Sequence, residues 1–288
     1  MAAADLQPTT SGLLGAGGRQ IFWERFGTGA RETVCLLNGL AMHTKAWYPF
    51  VPALLDECDV LLYDYPGQGA SSFEDAPVEI PEIAGYLARI LDHVGLDRVH
   101  AVGVSYGGFI AVEFARLHQE RLHTLTLSGI LLSHERLFEM YEALSLRFYR
   151  AGREAFELYT HYMYEKIFGE DFVAATPPDR LDAMRQRFVD RYADRAHALI
   201  RLTEAQDPFF EALDANLPGY RSIRTPTLVM PGAEDRAIPP WVQMKICDLL
   251  PDARWEPIAR SGHVVYLEQP DAFWGTLRRF VKAHHTKF

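Results

Sequence analysis

The sequence predicts an α/β fold: a mostly parallel, doubly wound sheet carrying one long helical insertion. Three observations predict it. Short apolar runs without polar alternation recur along the chain, as strands buried on both faces require. Segments with helical apolar spacing fill the gaps between those runs. The interval from about 133 to 222 contains no convincing strand and is rich in Phe, Tyr, Leu, Arg and Glu. A gap that long in a compact domain is rarely structureless, so it reads as helices laid over one edge of the sheet.

Taken in order, residues 1–18 have neither a basic segment nor an apolar run long enough for a signal peptide, and are expected to form a flexible leader. "RQIFWERF" (19–26) alternates polar and apolar residues, as an exposed antiparallel strand does. "TVCLLNG" (33–39), "DVLLYDYPG" (59–67), "RVHAVGVS" (98–105), "LHTLTLSG" (122–129) and "TPTLVMPG" (225–232) read as buried parallel strands, with a further short one near 253–258. Ile83, Leu87, Ile90, Leu91 and Val94 recur at helical spacing behind Pro81, a residue suited to a first turn. Residues 106–118 are small or apolar nearly all round, which predicts a deeply buried helix. Phe273, Leu277, Phe280 and Val281 form one apolar face near the end. The organisation is thus a leader (1–18), a core (19–132 and 223–288) and a helical insertion (133–222).

Composition excludes several classes. The 288 residues are 48% apolar and 23% charged, ordinary for a soluble globular protein. A net charge of −9 does not attract a polyphosphate, so no nucleic-acid partner is expected. Cys35, Cys58 and Cys247 are scattered and lack ligand spacing, which argues against a disulfide framework and for a cytoplasmic location. No run reaches the ~18 apolar residues of a membrane span. "GAGGR" lacks the strand and helix of a dinucleotide site, and "HYMYE" (161–165) has no third ligand. The tail "KAHHTKF" reads as a solvated end. No metal or organic cofactor is expected.

The chemistry centres on "GVSYG" (103–107), a G-x-S-x-G pattern between a buried strand and a helix. A tight turn there exposes the Ser105 hydroxyl, and only small residues fit at Gly103 and Gly107. Gly108 lets the helix lie close to the sheet. A serine at such a junction can also be a plain helix cap. Reactive serine needs a base and a carboxylate to orient it. "PGAEDRAIP" offers Asp235, with Glu234 beside it, and "ARSGHVVYLEQP" offers His263; both segments follow strand ends, where open parallel sheets place their sites. His100, inside a strand, reads as core.

Together these residues resemble the α/β-hydrolase superfamily, over about 19–286, with the helical insertion where that family carries its cap. The resemblance implies Ser105 as nucleophile, His263 as general base and Asp235, selected over Glu234 by the G-x-x-D spacing, as the orienting acid. It also implies oxyanion donors at the backbone N–H groups of Leu40 and Tyr106. The sequence departs from the family at Asn38, which stands where a histidine is usual; loop support is the favoured reading for it. His43 either faces the pocket or caps the next helix. "DYPGQGAS" (64–71) resembles the family's structural turn after the next strand.

A serine at the elbow implies attack on a carbonyl: hydrolysis of an ester or thioester of an apolar acyl group through an acyl-enzyme. A shorter similarity, in "NGLAMHTKAW", is to the synthases that join two 3-hydroxyacyl chains into rhamnolipid precursors, which keeps acyl transfer open. Carbon–carbon bond hydrolysis, cofactor-free haloperoxidation and a non-catalytic binding role are further alternatives on the same fold. Phe138, Met140, Tyr141, Phe148, Tyr149, Phe156, Tyr159, Tyr162, Met163 and Tyr164 are candidates to line an apolar tunnel, although such side chains also pack helices on one another.

Overall fold

A computed structural model describes residues 6–285 of the 288-residue chain. Its strands are β1 (Thr10–Ala16), β2 (Arg19–Phe26), β3 (Thr33–Leu37), β4 (Asp59–Tyr63), β5 (Val99–Val104), β6 (Leu122–Ser128), β7 (Thr227–Val229) and β8 (Ala253–Trp255). They form an eight-stranded sheet in the order β1-β2-β4-β3-β5-β6-β7-β8. β1–β2 and β2–β4 are antiparallel, and every other pair is parallel.

The period of two along a strand sorts its side chains onto two faces. Cys35 and Leu37 of β3 join one core, with Leu61 and Tyr63 of β4 and Ala101 of β5. Val34 and Leu36 join the other, with Val60, Leu62, Val102 and Val104. Each face needs a helical cover. α1 (Ile80–His93) and α2 (Tyr106–His118) cover the first through Ile83, Leu87, Phe109 and Val112. α13 (Pro270–Ala283) covers the second through Phe273, Leu277, Phe280 and Val281. Full burial of one such side chain is worth roughly 1.5–3 kcal/mol over leaving it exposed. α1 is stopped by Gly95 at φ 68°, where Leu96 N–H reaches Leu91 C=O at 2.8 Å. That bond closes the end of the helix in the way glycine permits.

Among the described residues, seven α-helices lie between β6 and β7. They are α3 (Arg136–Arg150), α4 (Arg153–Ile167), α5 (Glu170–Ala175), α6 (Pro178–Tyr192), α7 (Ala196–Glu204), α8 (Gln206–Glu211) and α9 (Leu213–Arg221). Short helices α10 (Pro240–Gln243) and α11 (Lys245–Leu249) precede β8, and α12 (Val265–Glu268) precedes α13.

Two expectations at the amino end need correction. Residues 1–18 are not a leader throughout: Thr10–Ala16 is strand β1, paired along its length with β2. Gly17 and Gly18, at φ 59° and 82°, make the hairpin turn that joins them. Residues 1–5 lie outside the described part of the chain. β2 is antiparallel as expected, but it is not exposed. β1 on one side and β4 on the other enclose it, and Ile21, Trp23 and Phe26 are buried.

Two glycines give opposite expected outcomes. A Cβ on Gly103 would collide with Gly107 O and approach Gly108 Cα at 2.6 Å, both backbone atoms. Gly103→Ala is expected to lower stability by about 1–3 kcal/mol. Gly85, inside α1, has open space around it, and Gly85→Ala is expected to raise stability by about 0.5–1 kcal/mol. Denaturant titration of the two variants checks both signs.

Candidate active site

Ser105 sits between the end of β5 and the start of α2 with φ 51° and ψ −125°, a left-handed backbone rarely tolerated outside glycine. Its N–H donates to Ser128 C=O at 2.7 Å, and its C=O accepts from Gly108 N–H at 2.8 Å. The helix can lie this close to the sheet because a Cβ at Gly107 would meet the backbone of Leu37, and one at Gly108 would meet Ile130.

The structure brings Asp235 and His263 to this serine. Asp235 follows β7 and His263 follows β8, so both loops open at the same end of the sheet as the β5–α2 turn. Ser105 Oγ and His263 Nε2 are 2.8 Å apart, and His263 Nδ1 and Asp235 Oδ2 are 2.8 Å apart. With Nδ1–H donating to the carboxylate, Nε2 of neutral imidazole is left as a hydrogen-bond acceptor for the serine hydroxyl. Burial alone would lower the His263 pKa. The charge and hydrogen bond of Asp235, with Glu268 behind, outweigh it and raise the pKa above the usual imidazole value. Glu234 is turned elsewhere, accepting Glu170 N–H at 3.2 Å.

Sequence reasoning missed two residues that hold these loops. Gln243, fully buried in α10, donates from Nε2 to Asp235 Oδ2 at 3.0 Å and accepts Gly129 N–H at 2.8 Å through Oε1. Asp235 Oδ1 also accepts the N–H groups of Ala237 and Ile238, both at 2.9 Å. Glu268 accepts Gly169 and Gly262 N–H groups at 2.7 and 2.8 Å on Oε2, and Val264 N–H at 2.9 Å on Oε1. Glu268 lay within the quoted "VVYLEQP", so its position was visible. Gln243 gave no sequence signal.

The loop after β3 carries Gly39 and Leu40 across the elbow. A Cβ on Gly39 would lie 3.5 Å from Ser105 Cβ, which fixes how close the loop comes. Asn38 is fully buried. Its Nδ2 donates to Tyr63 C=O at 3.1 Å and faces Asp64 Oδ1 and Gln68 Oε1, both at 3.3 Å; its Oδ1 accepts Trp47 Nε1–H at 2.8 Å. Gln68 Nε2 in turn donates to Gly39 C=O at 3.1 Å. Asn38 therefore supports the loop from beneath. Asp64 accepts Thr44 N–H at 2.7 Å and Ala70 N–H at 2.9 Å; burial pushes its pKa up to about 6 against those bonds. His43 precedes the short turn 44–46 without a side-chain cap bond, and lines a separate cavity with Arg191 and Arg195. Burial, then Arg191 and Lys45, lower its pKa to about 4.

Ser105 and His263 open into a cavity of about 290 Å³ between sheet and cap helices, with Leu40 and Tyr106 in its wall. Of the aromatic and methionine residues expected to line a tunnel, Phe138, Tyr141, Tyr149, Tyr159, Met163 and Tyr164 do so. Phe156 is enclosed in the cap's own core, where its ring stacks on Phe188 at 5.4 Å. Phe148 packs beside Tyr159, Met140 is exposed, and Tyr162 faces a neighbouring groove.

One group of metal-ligand type lies at the opposite end of the sheet. The ligand atoms of Glu32, His100 and His285 are within 4.8 Å of one another, near the amino ends of β3 and β5. His100 is buried as expected, with Nε2 3.0 Å from Glu32 Oε2 and Nδ1 2.9 Å from Thr124 Oγ1. His285 is half-buried beside them, as is His284, while Lys282 and Ala283 before them are exposed; residues 286–288 lie outside the described part. No helix among the described residues is long and apolar enough to cross a membrane.

Comparison with known proteins agrees with this architecture. A protein of Azorhizobium caulinodans named as the carbamate hydrolase RutD is 26% identical over 265 residues, spanning 89% of this chain and 93% of its own. A poly(3-hydroxyalkanoate) depolymerase of Ectopseudomonas oleovorans is 36% identical over 94 residues, 33% of each chain. The crystal structure of MGS-M2, an α/β-hydrolase enzyme from a Medee basin deep-sea metagenome library, superposes with a TM-score of 0.86. It covers 96% of this chain and 98% of that one at 24% identity, a likeness of fold. The model of the α/β-hydrolase fold family matches residues 32–270, from β3 through the elbow to the His263 loop. On that match and the fold it runs through, the chain belongs to the α/β-hydrolase fold family and is an enzyme of it.

Proposed function

We propose that the protein hydrolyses a carboxylic ester or thioester of a largely apolar acyl group. Ser105 is the nucleophile, His263 the general base, Asp235 its orienting partner, and the N–H groups of Leu40 and Tyr106 the oxyanion donors. The observation that carries this reading is the unbroken hydrogen-bond chain from Asp235 through His263 to Ser105, 2.8 Å at each link.

In acylation, Ser105 Oγ forms a bond to the carbonyl carbon as its proton passes to His263 Nε2. The carbonyl π electrons move onto oxygen, which the two backbone donors stabilise; one such donor is typically worth about 3 kcal/mol. The imidazolium then gives its proton to the departing alkoxide or thiolate as the carbon–oxygen or carbon–sulfur bond breaks. Water repeats the sequence on the acyl-enzyme: its proton goes to Nε2, its oxygen to the carbonyl carbon, and Ser105 recovers the proton on release of the acid. Asp235 keeps Nδ1 as the donor, which leaves Nε2 free to accept.

The cavity supports the acyl side of the reading. Leu40, Phe138, Met163, Ile167, Phe188 and Leu267 supply apolar wall, and no arginine or lysine among the described residues lines it. An unsubstituted carbamate offers a carbonyl but little carbon to fill such a space. A hydrocarbon chain fills it and removes apolar surface from water.

Ser105→Ala is expected to reduce hydrolysis of p-nitrophenyl octanoate by about 10⁴-fold or more. The parent protein should also take a fluorophosphonate label on Ser105, read by peptide mass. Undiminished turnover, or labelling elsewhere alone, rejects the nucleophile assignment.

The base must be neutral to act, so kcat/KM should be low in acid and rise to a plateau. Because the Asp235 charge favours imidazolium, the midpoint is expected above ~6.5, the ordinary histidine value. A profile flat from about pH 5 to 8, or a midpoint well below the ordinary value, counts against His263 as the base.

A further inference from the structure

The acyl cavity is not apolar throughout. Tyr106 of α2, Glu142 of α3, Thr203 of α7 and Gln206 of α8 all line it. They are neighbours: the Glu142 carboxyl interacts with Tyr106 and with the Gln206 amide, and Gln206 Nε2 donates to Thr203 C=O at 3.4 Å. Tyr106, Thr203 and Gln206 are 2%, 4% and 5% exposed.

Three polar atoms of this cluster are buried without a hydrogen-bond partner among the described residues: Tyr106 Oη, Glu142 Oε1 and Thr203 Oγ1. Buried polar groups are normally paired. Ser145, Tyr141 and Tyr159 of the same wall are paired with one another. Ser145 Oγ donates to Tyr141 C=O and lies 2.7 Å from Tyr159 Oη, and Tyr159 Oη donates to Tyr141 Oη at 3.3 Å. The other unpaired buried side-chain atoms lie on residues that do not line this cavity. The shortfall is therefore confined to one cluster on the wall of the space where the acyl group would lie.

We propose that this cluster is a polar subsite for a neutral hydroxyl carried on the acyl chain, so that the preferred substrates are esters or thioesters of hydroxy acids. The inference rests on the hydrolase reading above for its catalytic consequence, but not for the binding itself. The donor set selects the ligand group. Tyrosine and threonine hydroxyls each donate and accept, and so does a protonated carboxyl. Burial, reinforced by Asp207 and opposed by the Gln206 amide, pushes Glu142 up to about 8, so it is mainly protonated at neutral pH. With no arginine or lysine among the described residues of the wall, a carboxylate finds no such counter-charge there. A hydroxyl can accept from one of these groups and donate to another without bringing charge into the cavity.

The test is binding to the Ser105→Ala protein, which leaves esters intact. Methyl octanoate and its monohydroxylated positional isomers are titrated by calorimetry. At least one isomer is expected to bind about ten-fold tighter than methyl octanoate. Adding Glu142→Leu and Thr203→Val together should bring that ratio to about one. Should that combination fail to fold, Thr203→Val alone, nearly isosteric, should lower the ratio severalfold. Parent binding in which no isomer exceeds methyl octanoate overturns the subsite, as does a ratio that survives the substitutions. The hydrolase reading fails separately. A protein that prefers a hydroxylated ester but turns over no ester keeps the subsite and loses the reaction. One that hydrolyses esters without that preference loses only the subsite.

Discussion

The left-handed backbone of Ser105 is the constraint from which the rest of the site follows. A non-glycine residue in such a region costs of order 1–3 kcal/mol and persists only where its surroundings over-determine it. Here the surroundings are a strand and a helix that cannot separate. β5 is paired on both sides, by β3 and β6. α2 is pressed on the sheet where Gly103, Gly107 and Gly108 leave no room for a side chain. The Ser105 N–H is tied to β6 through Ser128, and its C=O to the first turn of α2 through Gly108. Two buried cores, one on each face of the sheet, supply the rigidity that keeps the turn bent.

A fixed serine demands fixed partners, and these come from loops. Loops are held here by carboxylates and an amide acting on backbone N–H groups. Asp235 binds two N–H groups of its own turn, and Gln243 ties it to Gly129 at the end of β6. Glu268 gathers three N–H groups, two from the His263 loop and one from Gly169 beyond α4. Charge-assisted bonds of this kind are each worth about 1.5–3 kcal/mol. His263 N–H adds a bond to Ile167 C=O at 2.7 Å, so the histidine loop and the end of α4 are fastened to each other twice. The cap is thus anchored at the loop that carries His263.

Physical reasons separate what the sequence made legible from what it did not. β3 to β6 were legible because strands buried on both faces must be continuously apolar. The elbow was legible because close backbone contact admits only glycine at set spacings. β1 was not, since an edge strand with glycines and exposed positions needs little apolar pattern; the Gly17–Gly18 turn was its one signal. Gln243 was invisible because its partners, Asp235 and Gly129, are chosen by the fold and not by spacing. The cap was readable as helix but not as surface. Phe156 and Tyr159 sit on one helix and both are buried, yet only Tyr159 reaches the cavity. Thr203 and Gln206, ordinary polar residues of short helices, carried no mark of the cavity they line.

The cap also bears on the reacting end of the cavity through Leu40. That residue packs partly against the sheet core and partly against the cap's aromatic core, so its position is set by both. Next to it Ala41 holds φ 62°, a left-handed conformation that costs a non-glycine residue roughly 1–2 kcal/mol. Ala41 packs on the cap core as well, which gives that conformation a support outside the loop. The proposed oxyanion donor at Leu40 therefore sits on a segment whose geometry depends on how the cap is packed. Asn38 fixes the near end of the segment through Tyr63 and Trp47, and the cap fixes the far end. Under the proposed function, acyl-chain selection and oxyanion geometry are then not independent properties. On that proposal, a change in the cap that widens the cavity is expected also to loosen the loop that would meet the developing charge, with an effect on kcat as much as on KM.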